Sequence, residues 1–279
     1  MFNKIISGSI ALSLVLLAGP ASAMPNHQTA ELSAPGTNRV LTLPTAADNS
    51  PVISLGTAID PQSGKVVEGI AIVHPKKTYD HKPQHDAAKA GGKGGGSSCY
   101  AFLANGAKWK SVENWAINTN NNENLTGSFV FDNFAASLDK WETAGGANIF
   151  GNGAVTSDVL SADTESPDGV NEVYFGDVGS QGAIAVTIVW GIFSGPPFAR
   201  ELVEWDMVLD EVDFDWSATG EAGKMDYENI TTHEIGHAAG MGHPDDSCLE
   251  ETMYRFADYG ETKKRDLNAG DIAGIDKLY

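Results

Sequence analysis

Residues 231–244, TTHEIGHAAGMGHP, constrain this chain more than any other stretch. On a helix, His233 and His237 stand at i and i+4, so both imidazoles leave one face about one turn apart. That separation suits two ligands of a single metal ion. Glu234 is rotated from them by about 100°, which places it beside the ion and not among its ligands. Gly240 permits the left-handed turn that ends a helix and swings His243 back toward the first pair. Three neutral imidazoles leave one exchangeable position in a tetrahedral site. The rest of the fold must therefore hold one helix and the turn after it around a single point.

Nitrogen donors without thiolates or a carboxylate cage favour zinc over magnesium or calcium, which prefer oxygen. Water bound to zinc has its pKa lowered toward about 7, and Glu234 is placed to take the proton as that water attacks a polarised carbonyl. A purely structural zinc is usually closed by a fourth protein ligand and would leave Glu234 without a role.

The wider composition narrows the partners. With 18 basic against 37 acidic residues, the net charge is −19 and the pI about 4.5. A nucleic-acid binder needs a basic face, and an anionic membrane surface is an equally poor partner. Residues 1–23 read as a secretory signal peptide: Lys4, an apolar run, then Ala21-Ser22-Ala23 as the cleavage signal. The mature chain is expected outside the cytoplasm, secreted or in the periplasm of a cell with an outer membrane. Residues 24–98 read as a leader or pro-segment rich in proline, with one strand pair at 52–58 and 66–73 and a Gly/Ser linker at 90–98. Its His74, His81 and His85 are spaced irregularly in a polar run and are expected on a solvated surface.

All six tryptophans follow the linker, so the folded domain is placed at 99–279. Alternation predicts a strand within 109–118. Phe131, Phe134, Leu138 and Trp141 recur at helical spacing, and Gly145-Gly146 ends that helix. Further strands are expected at 170–175, 183–190 and 201–209, and a last helix is capped by Asn268 with Asp271 at N3. The fold class is α/β, one mostly parallel sheet with helices packed on it.

His233-Glu234-x-x-His237-x-x-Gly240-x-x-His243, followed by Met253 in ETMY, resembles the metzincin signature and its Met-turn. The strand GAIAVTIVW, the stretch ELVEWDMVLD and the closing DIAGIDKLY are similar to microbial matrixin-like peptidases. The resemblance covers 99–279. It implies a twisted five-stranded sheet with an antiparallel edge strand, packed by a long helix, the zinc-site helix and a C-terminal helix. It also implies His233, His237 and His243 as zinc ligands, Glu234 as general base, and Met253 as a turn beneath the metal. Ile184, Ala185, Val186, Thr187 and Ile188 would form the edge strand that pairs with an extended peptide or protein substrate. The loop 255–264 would border the main specificity pocket. The implied activity is secreted zinc endopeptidase. A catalytically silent zinc-containing binding or adhesion module of the same fold is the alternative, and it has no use for a base beside an open metal position.

Departures from the family pattern are specific. The leader contains no PRCG-type cysteine motif, and Pro244 follows the third histidine. Cys99 and Cys248 are the only cysteines, an even pair in an exported chain, and are expected to form a disulfide and not a zinc-blocking thiolate. Ten acidic residues lie between 200 and 228 (Glu201, Glu204, Asp206, Asp210, Glu211, Asp213, Asp215, Glu221, Asp226, Glu228), and with Asp163, Asp168 and Asp177 they could hold calcium. Without regular ligand spacing, a solvated acidic surface is the expectation.

Overall fold

The computed structural model describes residues 40–44, 50–77, 99–180 and 182–279. The chain runs through β1 (Val40–Leu41), β2 (Val52–Ile59), β3 (Val66–Pro75), β4 (Ala101–Phe102) and β5 (Glu113–Ile117), then helix α1 (Gly127–Gly145). Next come β6 (Phe150–Val155), β7 (Asn171–Val178), β8 (Ala183–Ile192), β9 (Glu201–Asp210), β10 (Trp216–Ser217) and β11 (Met225–Asp226). Helix α2 (Tyr227–Ala238), β12 (Met241–Gly242) and helix α3 (Ala269–Leu278) complete it. No helix among the described residues is long and apolar enough to cross a membrane.

Strands β6, β5, β7 and β9 are parallel neighbours, and β8 joins β9 antiparallel. This is the expected α/β arrangement of five strands with an antiparallel one at its margin. The sheet does not stop there. β3 pairs antiparallel with β8, and β2 with β3, giving the order β2-β3-β8-β9-β7-β5-β6. The free margin of β8 is therefore occupied by a hairpin from the 24–98 stretch. Val67, Gly69 and Ala71 of β3 face inward, and Gly69 lies so close to the Trp190 ring that a Cβ there would stand 2.6 Å from it.

One face of the sheet carries the helices. Thr126 caps α1, accepting from Phe129 N at 3.2 Å, and Gly146 closes it at φ 60, where only glycine is unstrained. The helical stripe packs as its spacing implies: Phe134, Leu138 and Trp141 are buried, and Phe131 stacks half-buried on Trp115. Trp141 Nε1 donates to Thr232 O at 2.8 Å, and Trp109 Nε1 to Ala238 O at 2.8 Å, so two indoles fix α2 against its neighbours. The opposite face buries a smaller cluster that includes Tyr174, Val186, Trp190 and Val208.

The expectation of a solvated acidic run is corrected here. β9 is a central strand, and Glu201, Glu204, Asp206 and Asp210 are buried, as are Glu211 and Asp226 outside it. Sheet position overrides the preference of carboxylates for water because both faces of β9 are covered, one by the larger core cluster and one by the smaller.

Cys99 and Cys248, 149 positions apart in the sequence, form a disulfide with Cα atoms 5.5 Å apart. It ties the segment just before β4 to the loop between His243 and Met253. Chain-entropy reasoning assigns closure of so long a loop about 5 kcal/mol. Thiol titration of denatured, unreduced protein should find no free cysteine, and reductant should lower the melting temperature. Two free thiols per chain with unchanged melting would contradict the pairing.

Candidate metal centre

Asp226 caps α2 by accepting from Asn229 N at 3.0 Å, and its carboxylate also binds Arg265. The helix then presents His233 and His237 on one face. It ends at Gly240, with φ 100, where a Cβ would meet Ala107 O at 2.8 Å. β12 follows, paired with β4, and turns His243 back to the helix. The three Nε2 atoms converge: 233 to 237 is 3.2 Å, 233 to 243 is 3.2 Å, and 237 to 243 is 3.1 Å.

The opposite ring nitrogens explain what this convergence is for. His233 Nδ1 donates to Thr252 O at 2.6 Å and His237 Nδ1 to Met241 O at 2.9 Å. A neutral imidazole that donates through Nδ1 carries a lone pair on Nε2. Two lone pairs thus face each other at hydrogen-bonding distance with no proton between them, which only a cation reconciles. Zinc–nitrogen bonds of about 2.0–2.1 Å in a tetrahedron put the nitrogens about 3.3 Å apart, close to the observed triangle. Burial lowers the pKa of all three histidines, His237 to about 4, which keeps them neutral and ready to ligate.

The turn below is wired into this centre. Met253 is fully buried, and its sulfur lies where a Cβ on Gly236 would be, 2.2 Å away, so the glycine makes room for it under the helix. Asp271, at N3 of α3, accepts from Thr252 N at 2.7 Å, Met253 N at 3.1 Å and Asn268 N at 3.0 Å. The C-terminal helix cap therefore holds the residue whose carbonyl orients His233. The sequence marked Asp271 as a cap only; its grip on the turn is a tertiary feature.

Glu234 is fully buried with its carboxylate between two donors. Thr187 Oγ1 of β8 donates to Oε2 at 2.6 Å, and His74 Nδ1 of β3 lies 2.7 Å from Oε1. Burial raises the Glu234 carboxyl to about 8. His74 is thus no surface residue: it is fully buried, its ring centroid 4.0 Å from that of His233. Its irregular spacing carried no signal, although it stands one residue beyond the strand read at 66–73. His81 and His85 lie outside the described residues. Ile184–Ile188 falls within β8, buried throughout. In the loop 255–264, Lys264 is fully buried and reaches the same spot, which its place in a basic run did not reveal.

A second group of carboxylates lies apart. Asp163, Glu204 and Asp206 bring oxygens within 4.8 Å of one another, and Asp163 Oδ2 and Glu204 Oε1 are buried without a hydrogen-bond partner. Asp177 instead sits opposite Val40 in the β1–β7 pairing. Burial, with Asp163 and Asp168 nearby, raises the Glu204 carboxyl to about 8. Folded Glu204 keeps a proton that the unfolded chain releases near 4.5, so its contribution is complete below about 4.5 and lost as pH rises through about 8. In chelator, the melting temperature of the native chain should fall more steeply from about pH 5 to about pH 9 than that of Glu204→Gln. Parallel profiles would contradict this.

A family model described as Matrixin matches residues 107–279. Metalloendoproteinase 1-MMP of Arabidopsis thaliana is 41% identical over 68 residues, 24% of this chain and 18% of that protein. Metalloendoproteinase 1 of Glycine max is 40% identical over 70 residues, 23% of this chain and 22% of that protein. Metalloendoproteinase 2-MMP of Arabidopsis thaliana is 34% identical over 76 residues, 25% and 19% of the two. The chain thus spans about a fifth of the length of these curated relatives.

Proposed function

Because the chain belongs to the matrixin family, we propose that it is a secreted zinc-dependent endopeptidase made as a precursor whose own leader strand lies in its cleft. The observation that carries this reading is one buried carboxylate, Glu234, set beside three histidines whose lone pairs converge. His233, His237 and His243 would hold zinc, which supplies Lewis acidity toward a carbonyl and toward water. Glu234 takes a proton from the attacking water as the water oxygen bonds to the carbonyl carbon. The carbon–nitrogen bond then breaks, and Glu234 passes the proton to the leaving amine nitrogen. Thr187 holds Oε2, which leaves Oε1 to take the proton once His74 is withdrawn. A silent binding module would leave this arrangement unexplained.

An extended substrate would add to β8 as β3 does, through antiparallel backbone pairing. β3 and a substrate therefore compete for the same margin, and removal of the 24–98 stretch opens the cleft. We place the junction at the Gly-rich 91–96 segment, since proteolytic nicking concentrates in segments rich in small residues. Calcium is the cation that Asp163, Glu204 and Asp206 suit, as hard oxygen donors. Added calcium should flatten the pH slope described above in the native chain.

Glu234→Gln should keep about one zinc per chain while peptide hydrolysis falls roughly 10²-fold or more. Normal turnover by that variant would overturn the mechanism. Intact mass of active protein from culture medium should place its first residue near the Gly-rich segment, and full activity from a chain beginning at Met24 would overturn obligatory removal of the leader.

A further inference from the structure

His74 marks the place of one substrate side chain. Its backbone is opposite Ala185, its ring lies against His233, and its Nδ1 reaches Glu234. A general base must stand beside the bond being cut, so a side chain touching Glu234 belongs to a residue flanking that bond. Beyond the imidazole, at the bottom of the recess, stands the ammonium of Lys264, 3.1 Å from His74 Nε2. As an ammonium Lys264 can only donate, so Nε2 then accepts and His74 carries its proton on Nδ1, toward Glu234.

Lys264 is buried with no carboxylate in direct contact; burial lowers its ammonium to about 7, against the longer-range attraction of Glu261, Glu234 and Asp271. Its Nζ donates to Tyr254 O and to His74 Nε2. It lies 3.5 Å from His233 Nδ1, whose proton is already given to Thr252 O. Among the described residues no carboxylate comes within ion-pair distance of it. Its backbone is pinned by donation from N to Asn229 Oδ1 at 2.8 Å, so the side chain cannot be withdrawn by a simple loop shift. A substrate strand that displaces β3 takes away the imidazole acceptor and leaves the ammonium with one carbonyl. An apolar side chain there would strand a donor, and a basic one would add like charge. A carboxylate would complete a charge-assisted pair. Glutamate is the best match, because its oxygens and histidine Nε2 stand the same number of bonds from Cβ.

We propose that Lys264 is the specificity-determining residue of this recess and selects substrates with an acidic side chain, glutamate first, on the residue that takes the place of His74. The proposal rests on the reading of β8 as the substrate-binding strand.

The test uses the zinc-loaded full chain and lets the leader report on the recess. Hydrogen exchange of β3 is measured for His74→Glu, His74→Gln and His74→Leu, each with Lys264 and with Lys264→Met. With Lys264 present, His74→Glu should slow β3 exchange about tenfold or more relative to His74→Gln and His74→Leu. With Lys264→Met that advantage should vanish. If Lys264→Met does not fold, the comparison of the three His74 variants stands alone. Exchange as slow with leucine as with glutamate, in the presence of Lys264, would overturn the proposal. In parallel, enzyme from culture medium is given peptides that vary only at the residues flanking the cleaved bond. Cleavage preferring glutamate about tenfold over leucine supports the proposal, and cleavage indifferent to it overturns the proposal while leaving the peptidase reading intact. No hydrolysis by any form, with the exchange pattern as expected, would sink the peptidase reading and leave Lys264 as an acid-binding group.

Discussion

Two backbone carbonyls organise this molecule. Thr252 O and Met241 O each take the Nδ1 proton of a histidine, and that commitment turns the Nε2 lone pairs of His233 and His237 toward one point, where His243 joins them. Everything that positions those two carbonyls becomes part of the metal centre. Asp271 in the cap of α3 holds Thr252, Gly240 bends the chain into the strand carrying Met241, and the disulfide anchors the loop between. A centre described by its three histidines alone would miss the backbone that aims them.

The second organising contact is the line Thr187, Glu234, His74, Lys264, which runs from β8 through the buried carboxyl of α2 to the loop after the Met253 turn. It joins the 24–98 stretch to the centre. β3 pairs antiparallel with β8 through eight residues, 68–75, and sets His74 against Glu234. The same antiparallel pairing that would bind a peptide joins β8 to the chain's own β3. The 24–98 stretch holds no cysteine, so its contact with the centre is made by an imidazole and not by a thiol.

What the sequence made legible follows from where local rules suffice. Helix α1 was visible because its apolar stripe and its Gly145-Gly146 stop agree. The three histidines were visible because helix geometry and one glycine fix their separation without help from the rest of the fold. β6 was invisible: FGNGAV carries little strand signal, and Gly153 is there because the Trp115 ring occupies the space of a side chain, 2.2 Å from an ideal Cβ. His74, Lys264 and the inward carboxylates of β9 were misread or missed for one shared reason. Each is a polar residue buried by strands or loops distant in sequence, so no local pattern distinguishes it from a solvated one.

The central claim is that three imidazole nitrogens, aimed by the protein backbone, hold zinc beside Glu234. X-ray absorption at the zinc edge of the purified chain tests it most directly. The account predicts one zinc with three imidazole nitrogens at about 2.0–2.1 Å, no sulfur, and light-atom scattering alone in the remaining position. A sulfur shell, or a zinc surrounded by oxygen with fewer than three imidazoles, would contradict it.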